Sequence, residues 1–162
     1  TRLALHSMSI DRLITGSIHR AQEEVRQKFD ITVFNEIEEK TIQTNIEAFE
    51  DALSKLLINA WESYDALSES RPITLKARTL EDRSEIEFVI EDQGRGVDPE
   101  IEDNIFEPFV SSKNTVGVGM GLTIARHAIR TLGGDVLIRA GDGRGTTVTF
   151  NHPITNKTIS KP

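Results

Sequence analysis

Cysteine is absent from this 162-residue chain, so no disulfide can staple the fold and no thiolate can act as nucleophile or metal ligand. That absence suits a reducing compartment. No apolar run approaches the roughly 20 residues a membrane-spanning helix needs, and nothing resembles a signal peptide. The opening TRLALHSMSIDRL has too short an apolar stretch for either and reads as the continuation of a longer chain. The expectation is a cytoplasmic domain with no membrane segment of its own, membrane attachment of a parent protein being left open. Basic residues are in deficit, 19 Lys and Arg against 26 Asp and Glu, for a formal net charge of -7. This balance excludes a general nucleic-acid binder, because phosphate backbones require a surplus of cations on the contacting face. An anionic ligand would need local help from a metal ion, helix N-termini or a few placed cations. What is present is enough Leu, Ile, Val and Phe for the core of one domain, with no internal repeat.

Apolar residues at Ile14, Ile18, Ala21, Val25 and Phe29 recur at three- and four-residue steps, which predicts an amphipathic helix starting near Ser9 or Asp11. Ile31 to Ile37 reads as a short strand, and KTIQT as a candidate second one. Asn45 suits the cap of a long helix whose buried stripe is Ile46, Phe49, Leu53, Leu56, Leu57, Ala60, Tyr64 and Leu67. PITLKARTL and SEIEFVIED alternate apolar and polar residues on either side of EDR, the mark of a hairpin with one buried face. Leu122 to Leu132 reads as a helix stopped by Gly133 and Gly134. DVLIRA, the turn GDGRG and TTVTFNH form a closing hairpin. The class is α+β, with helices on one face of a mixed sheet.

Three clusters carry chemistry. Asp92, Gly94 and Gly96 follow a strand: a carboxylate there accepts a hydrogen bond from an exocyclic amino group such as adenine's, and the glycines let backbone approach a flat ring. The same triplet also suits an ordinary turn. Lys55, Asn59 and Glu62 stand four and three residues apart on one helix face. The Asn59 amide oxygen is a good Mg²⁺ ligand, and a solvated helix edge would show the same spacing. Gly117, Gly119 and Gly121 open onto a helix whose free amides favour phosphate, although a flexible linker would also be glycine-rich. Lys113 and Arg126 are the cations expected nearest the phosphates, although each alone reads as a solvated surface charge. Thr146 is a strand former able to place a hydroxyl beside the ring-binding acid. Phe106 and Phe109 are expected to be packing anchors. His6, His19, His127 and His152 lack metal-ligand spacing and read as structural or exposed.

Taken together, KLLINAWESYD, DQGRGVD, IFEPFVSSK, GVGMGLTIARHAIRTLGG and GRGTTVTF resemble, in order and spacing, the N box, F box and three glycine boxes of the catalytic ATP-binding domain of sensor histidine kinases. The resemblance covers about Asn45 to Pro153. It implies the α/β sandwich, or Bergerat-type fold, shared with gyrase B and MutL: a mostly antiparallel mixed sheet with helices on one face. It implies that Asp92 receives the adenine amino group, that Gly94, Gly96 and Val97 shape the pocket, and that Thr146 supports it through water. Asn59 would hold Mg²⁺ against the phosphates, with Glu62 beside it. Gly117, Gly119, Gly121 and Leu122 would belong to a lid, residues 107–121 and the helix it opens onto, with Lys113 as a phosphate contact and, with Asn59, part of the catalytic set. Residues 1–30 would then connect to a dimerisation domain, 31–153 form the catalytic domain, and 154–162 a polar tail.

The implied activity is transfer of the γ-phosphoryl group of Mg-ATP to a histidine on a separate dimerisation domain, which later passes it to a response regulator. Two departures stand out. Lys55 occupies a place where the family often has Asn or an acid, so the glutamate that activates water in related ATPases is missing and hydrolysis should be poor. A phosphoacceptor His followed by an acid is also missing, since His6 precedes Ser7 and His19 precedes Arg20. A nucleotide-sensing module without phosphotransfer, or a hydrolysing clamp like the gyrase relatives, are the alternative readings.

Overall fold

The computed structural model describes residues 3–96, 119–141 and 144–154. In chain order it has β1 (His6–Ser9), α1 (Ile10–Val25), β2 (Ile31–Glu36), β3 (Thr41–Thr44), α2 (Ile46–Glu62), β4 (Ile73–Leu80), a 3-10 turn, β5 (Glu85–Asp92), α3 (Gly119–Thr131), β6 (Val136–Ala140) and β7 (Thr146–Pro153). A five-stranded sheet has the order β2-β4-β5-β7-β6. All its pairings are antiparallel except β2 with β4. That single parallel pair makes the sheet mixed, as expected.

Local chemistry sets the helix ends. Ser9 caps α1 by accepting the Arg12 amide, and Asn45 caps α2 by accepting the Ala48 amide at 2.9 Å, each cap contributing about 1 kcal/mol. Where α1 stops, Arg26 turns left-handed at φ 58°. Phe29 lies beyond the helix, not in it, and is buried by stacking on Trp61 with ring centroids 5.9 Å apart. At the end of α3, Gly133 adopts φ 100° and Gly134 donates to the Ile129 carbonyl, the left-handed stop that the glycine pair predicts.

The stripe expected along α2 is shorter than its pattern. Ile46 is 40% exposed and Leu67 94% exposed, and the helix ends at Glu62. Ser63 explains the stop, because its hydroxyl bonds the Ala60 carbonyl at 2.7 Å and competes with continuation of the helix. One strand was not legible: β1 pairs antiparallel with β3 in a separate two-stranded sheet.

Helix α2 is central, lying between α1 and α3 and against β4 and β5. Period-two alternation turns Ile73, Leu75 and Ala77 of β4, Ile86, Phe88 and Ile90 of β5, and Val148 and Phe150 of β7 into the core. Phe88 stacks on Phe150 with centroids 4.7 Å apart, and Phe49 of α2 meets both edge-on. Ile10, Leu13, Ile14 and Ala21 of α1 enter the same core. His152 is buried in line with Phe150, its Nε2 2.9 Å from the Thr44 hydroxyl. Burial lowers its pKa against the opposing bond to Pro153, so it is a neutral structural residue. His6, His19 and His127 are exposed.

Candidate functional site

The alternation that buries Ile86, Phe88 and Ile90 has one further inward position, and it is Asp92. Its carboxylate is 3% exposed at the carboxyl end of β5, directly opposite the equally buried Thr146 of β7. Burying a carboxylate is costly without donors. Two main-chain donors are supplied, the Gly94 amide at 2.9 Å and the Thr146 amide, and the Ser63 hydroxyl beside the carboxylate adds to their effect. Burial still prevails and raises the pKa of Asp92, with these donors only partly offsetting it. A group held this way is unlike a surface turn residue, whose carboxylate would be solvated.

The turn after Asp92 is fastened at Gln93, Gly94 and Arg95. Tyr64 accepts the Gln93 amide at 2.8 Å and donates its own hydroxyl proton to the Pro72 carbonyl at 2.5 Å. The Arg95 amide donates to the Ser63 carbonyl at 2.9 Å, and Arg144 Nε donates to the Gly94 carbonyl at 3.1 Å. Two glycines are dictated by contact. A Cβ on Gly94 would lie 2.0 Å from Ser63 Oγ, and one on Gly145 would lie 2.0 Å from the Asp92 carbonyl oxygen. Gly96 and Gly145 also adopt φ 84° and 86°, which L side chains resist.

Ser63 links this acid to the polar line on α2, since its amide donates to the Asn59 carbonyl at 3.1 Å. Lys55, Asn59 and Glu62 do share one face. With Glu24 and Val25 of α1, Ile58 and Trp61 of α2, and Gly121 of α3, they line a cleft of about 500 Å³. Glu62 has a raised pKa because of burial, with Glu24 adding to the effect and Arg71 opposing it. Arg71 lies 4.1 Å over the Trp61 ring and bonds its carbonyl, stiffening that wall.

Gly121 falls inside α3 and not before it, because the helix already begins at Gly119. A Cβ on Gly121 would meet nothing within 4 Å, so the residue leaves room in the cleft without being required by packing. Leu122, next to it, is fully buried in the core. Val97, Phe106, Phe109, Lys113 and Gly117, and with them the lid proper, lie outside the described residues. Arg126 bonds Asp135 through its Nε, 3.0 Å from Oδ1.

The donor set fits Mg²⁺. Asn59 and Glu62 offer hard oxygens on one cleft, and among the described residues no group of three or more His, Cys, Asp or Glu could hold a metal unaided. Mg²⁺ usually takes few protein ligands and completes its shell with water and phosphate. Sequence reasoning passed over Ser63, Tyr64 and Arg144 as contributors to the Asp92 turn. Ser63 and Tyr64 stand in the same NAWESYD stretch as Asn59, and the spacing of Ser63, four residues on, was the available signal.

Residues 44–156 match the family model described as histidine kinase-, DNA gyrase B-, and HSP90-like ATPase. The autoinducer 2 sensor kinase/phosphatase LuxQ of Vibrio parahaemolyticus is 31% identical over 130 residues, covering 74% of this chain and 15% of that protein. The solved mycobacterial sensor histidine kinase MprB superposes with a TM-score of 0.75 at 21% identity, covering 91% of this chain and 97% of that one. Full-length ShkA in complex with AMPPNP gives a TM-score of 0.71 at 25% identity, covering 96% of this chain and 32% of that one. The chain spans well under a third of the length of LuxQ, and no described helix is long and apolar enough to cross a membrane.

Proposed function

Because the chain belongs to the histidine kinase-, DNA gyrase B-, and HSP90-like ATPase family, we propose that it is the catalytic domain of a sensor histidine kinase, binding Mg-ATP for transfer of the γ-phosphoryl group to a histidine. The observation that carries this reading is the buried Asp92 ending an apolar strand row, one helical turn by way of Ser63 from the Asn59 cleft. The AMPPNP bound to ShkA supports an adenine nucleotide as the ligand.

In this reading Asp92 accepts the adenine amino group, and Gly94 and Gly96 keep the pocket floor flat. A purine with a carbonyl at that position presents oxygen to carboxylate and is rejected. Thr146 holds the carboxylate from the neighbouring strand. Asn59, with Glu62 beside it, would hold Mg²⁺, which supplies neutralisation of phosphate charge. Gly119 and Gly121 leave the phosphate tail room at the start of α3, and Lys113 is assigned to the same tail. In the transfer, an imidazole nitrogen of the acceptor forms the new bond to Pγ while the bond to the β–γ bridging oxygen breaks, releasing ADP. This domain contributes position and charge, and the nucleophile and base come from another domain. A separate dimerisation domain is assigned the acceptor histidine and a response regulator the later step, whereas β1 and α1 within residues 1–30 pack with β3 and α2 as part of this domain.

Mixing the chain with a histidine-bearing kinase hairpin and γ-labelled ATP should yield labelled hairpin histidine. ATP binding with no labelled histidine would replace this reading with a nucleotide-sensing module. A second expectation concerns the metal. Asn59→Ala should weaken ATP binding about ten-fold when Mg²⁺ is present and little when it is chelated. Calorimetry decides, and equal losses in the two conditions would contradict a ligand role for Asn59.

A further inference from the structure

Four residues before Asn59 this chain has Lys55, where the resemblance leads one to expect Asn or an acid. The Lys55 stem forms part of the cleft wall, together with Asn59, Glu62 and Gly121. Its ammonium lies 2.6 Å from Asp51 Oδ1. Among the described residues lining this cleft it is the single cation, and Glu24 and Glu62 line it too.

Asp51 stands one helical turn toward the N-terminus of α2 and Asn59 one turn toward the C-terminus, so Lys55 is midway, about 6 Å from each. A flexible four-carbon stem spans that distance by rotation alone. The departure of Lys55 would not orphan Asp51. Arg20 of α1 places Nη2 3.4 Å from the same Asp51 oxygen and Nη1 3.5 Å from Glu47. The Lys55 and Asp51 side chains are 26% and 32% exposed, so water screens the pair and holds the lysine weakly compared with a polyphosphate.

We infer that Lys55 is a polyphosphate clamp: when a nucleotide enters, its ammonium moves from Asp51 to the phosphate tail beside Asn59, and its charge reduces the dependence of ATP binding on divalent metal. The inference rests on the ATP-binding reading above and deepens it. Without a metal the tail would meet two carboxylates in the cleft, and Lys55 is the described group that offsets them. Adenosine has no tail and should ignore Lys55.

Calorimetric titration of ATP and of adenosine, each in EDTA and in Mg²⁺, tests this with the intact chain and three variants. Lys55→Met should lose about ten-fold in metal-free ATP affinity, less with Mg²⁺, and nothing for adenosine. Lys55→Arg should retain most of the ATP affinity. Asp51→Asn, which releases the lysine, should bind metal-free ATP about two- to five-fold more tightly. Unchanged metal-free ATP binding in Lys55→Met, or equal losses for ATP and adenosine, overturns the clamp. Asp51→Asn binding no better than the unsubstituted chain contradicts the exchange of partners. An unsubstituted chain that binds neither compound removes the ATP reading itself, whereas one that binds both with an indifferent Lys55→Met removes the clamp alone.

Discussion

Asp92→Asn is expected to lose at least about a hundred-fold in ATP affinity while melting close to its parent. Relief from burying a charge is set against an acceptor lost to the protein's own donors. The two side chains have nearly the same shape, so packing against Thr146 and the end of β5 is preserved. The asparagine oxygen can keep the Gly94 amide that Asp92 Oδ1 now accepts at 2.9 Å. Its amino group is then left facing the purine amino group, donor against donor. The stability arm follows from burial. The folded pKa of Asp92 lies above its ordinary 3.8 because burial outweighs its hydrogen bonds. The folded state therefore holds the proton more tightly than the unfolded one, and stability falls as pH rises from the unfolded value through the folded one. Above the folded pKa that loss is complete, and an uncharged asparagine does not incur it. Thermal unfolding and calorimetry on one preparation check both arms. Unchanged affinity would mean that the base sits elsewhere.

Gly145→Ala is expected to destabilise the fold by about 3 kcal/mol or more, a fall of roughly 6–12 °C in melting temperature. Its Cβ would lie 2.0 Å from the Asp92 carbonyl oxygen, 2.7 Å from the carbonyl carbon and 2.8 Å from the Gln93 Cα. All three are backbone atoms, so no side chain can rotate away. The strand that must move is held on both sides, by β4 and by β7. Positive φ at this residue, 86°, adds strain even where space is made. Gly121→Ala is the matched control, since a methyl there meets nothing within 4 Å and alanine favours a helix over glycine. A Gly145→Ala protein as stable as its parent would show that the turn adapts and that the close approach to Asp92 is not obligatory.

Much of this architecture was legible because it depends on local pattern. The β4–β5 and β6–β7 hairpins follow from alternation, the α2 start from Asn45, and the α3 stop from Gly133 and Gly134. The spacing of Lys55, Asn59 and Glu62 put them on one face, and the structure places all three on one cleft. Most illegible features depend on contacts distant in sequence. His6–Ser9 offers too few residues to show a strand period, and its partner Thr41–Thr44 lies beyond α1 and β2 in the chain. The parallel partnership of β2 with β4 is likewise a product of the chain's path, which local pattern does not encode. The stop of α2 at Glu62 turns on one hydroxyl of Ser63, against apolar spacing that runs on to Leu67. The ion pair of Arg126 with Asp135, on the connection that follows α3, is likewise a contact that sequence spacing does not announce.

The Tyr64 hydroxyl, wedged between the Gln93 amide and the Pro72 carbonyl, has a thermodynamic corollary. It immobilises the segment after β5 when the polypeptide folds, so the disorder given up there is charged to folding and not to nucleotide capture. Heat and entropy changes on titrating a bare nucleoside should thus report desolvation of a ready-made seat, leaving any ordering signature to compounds that carry phosphates.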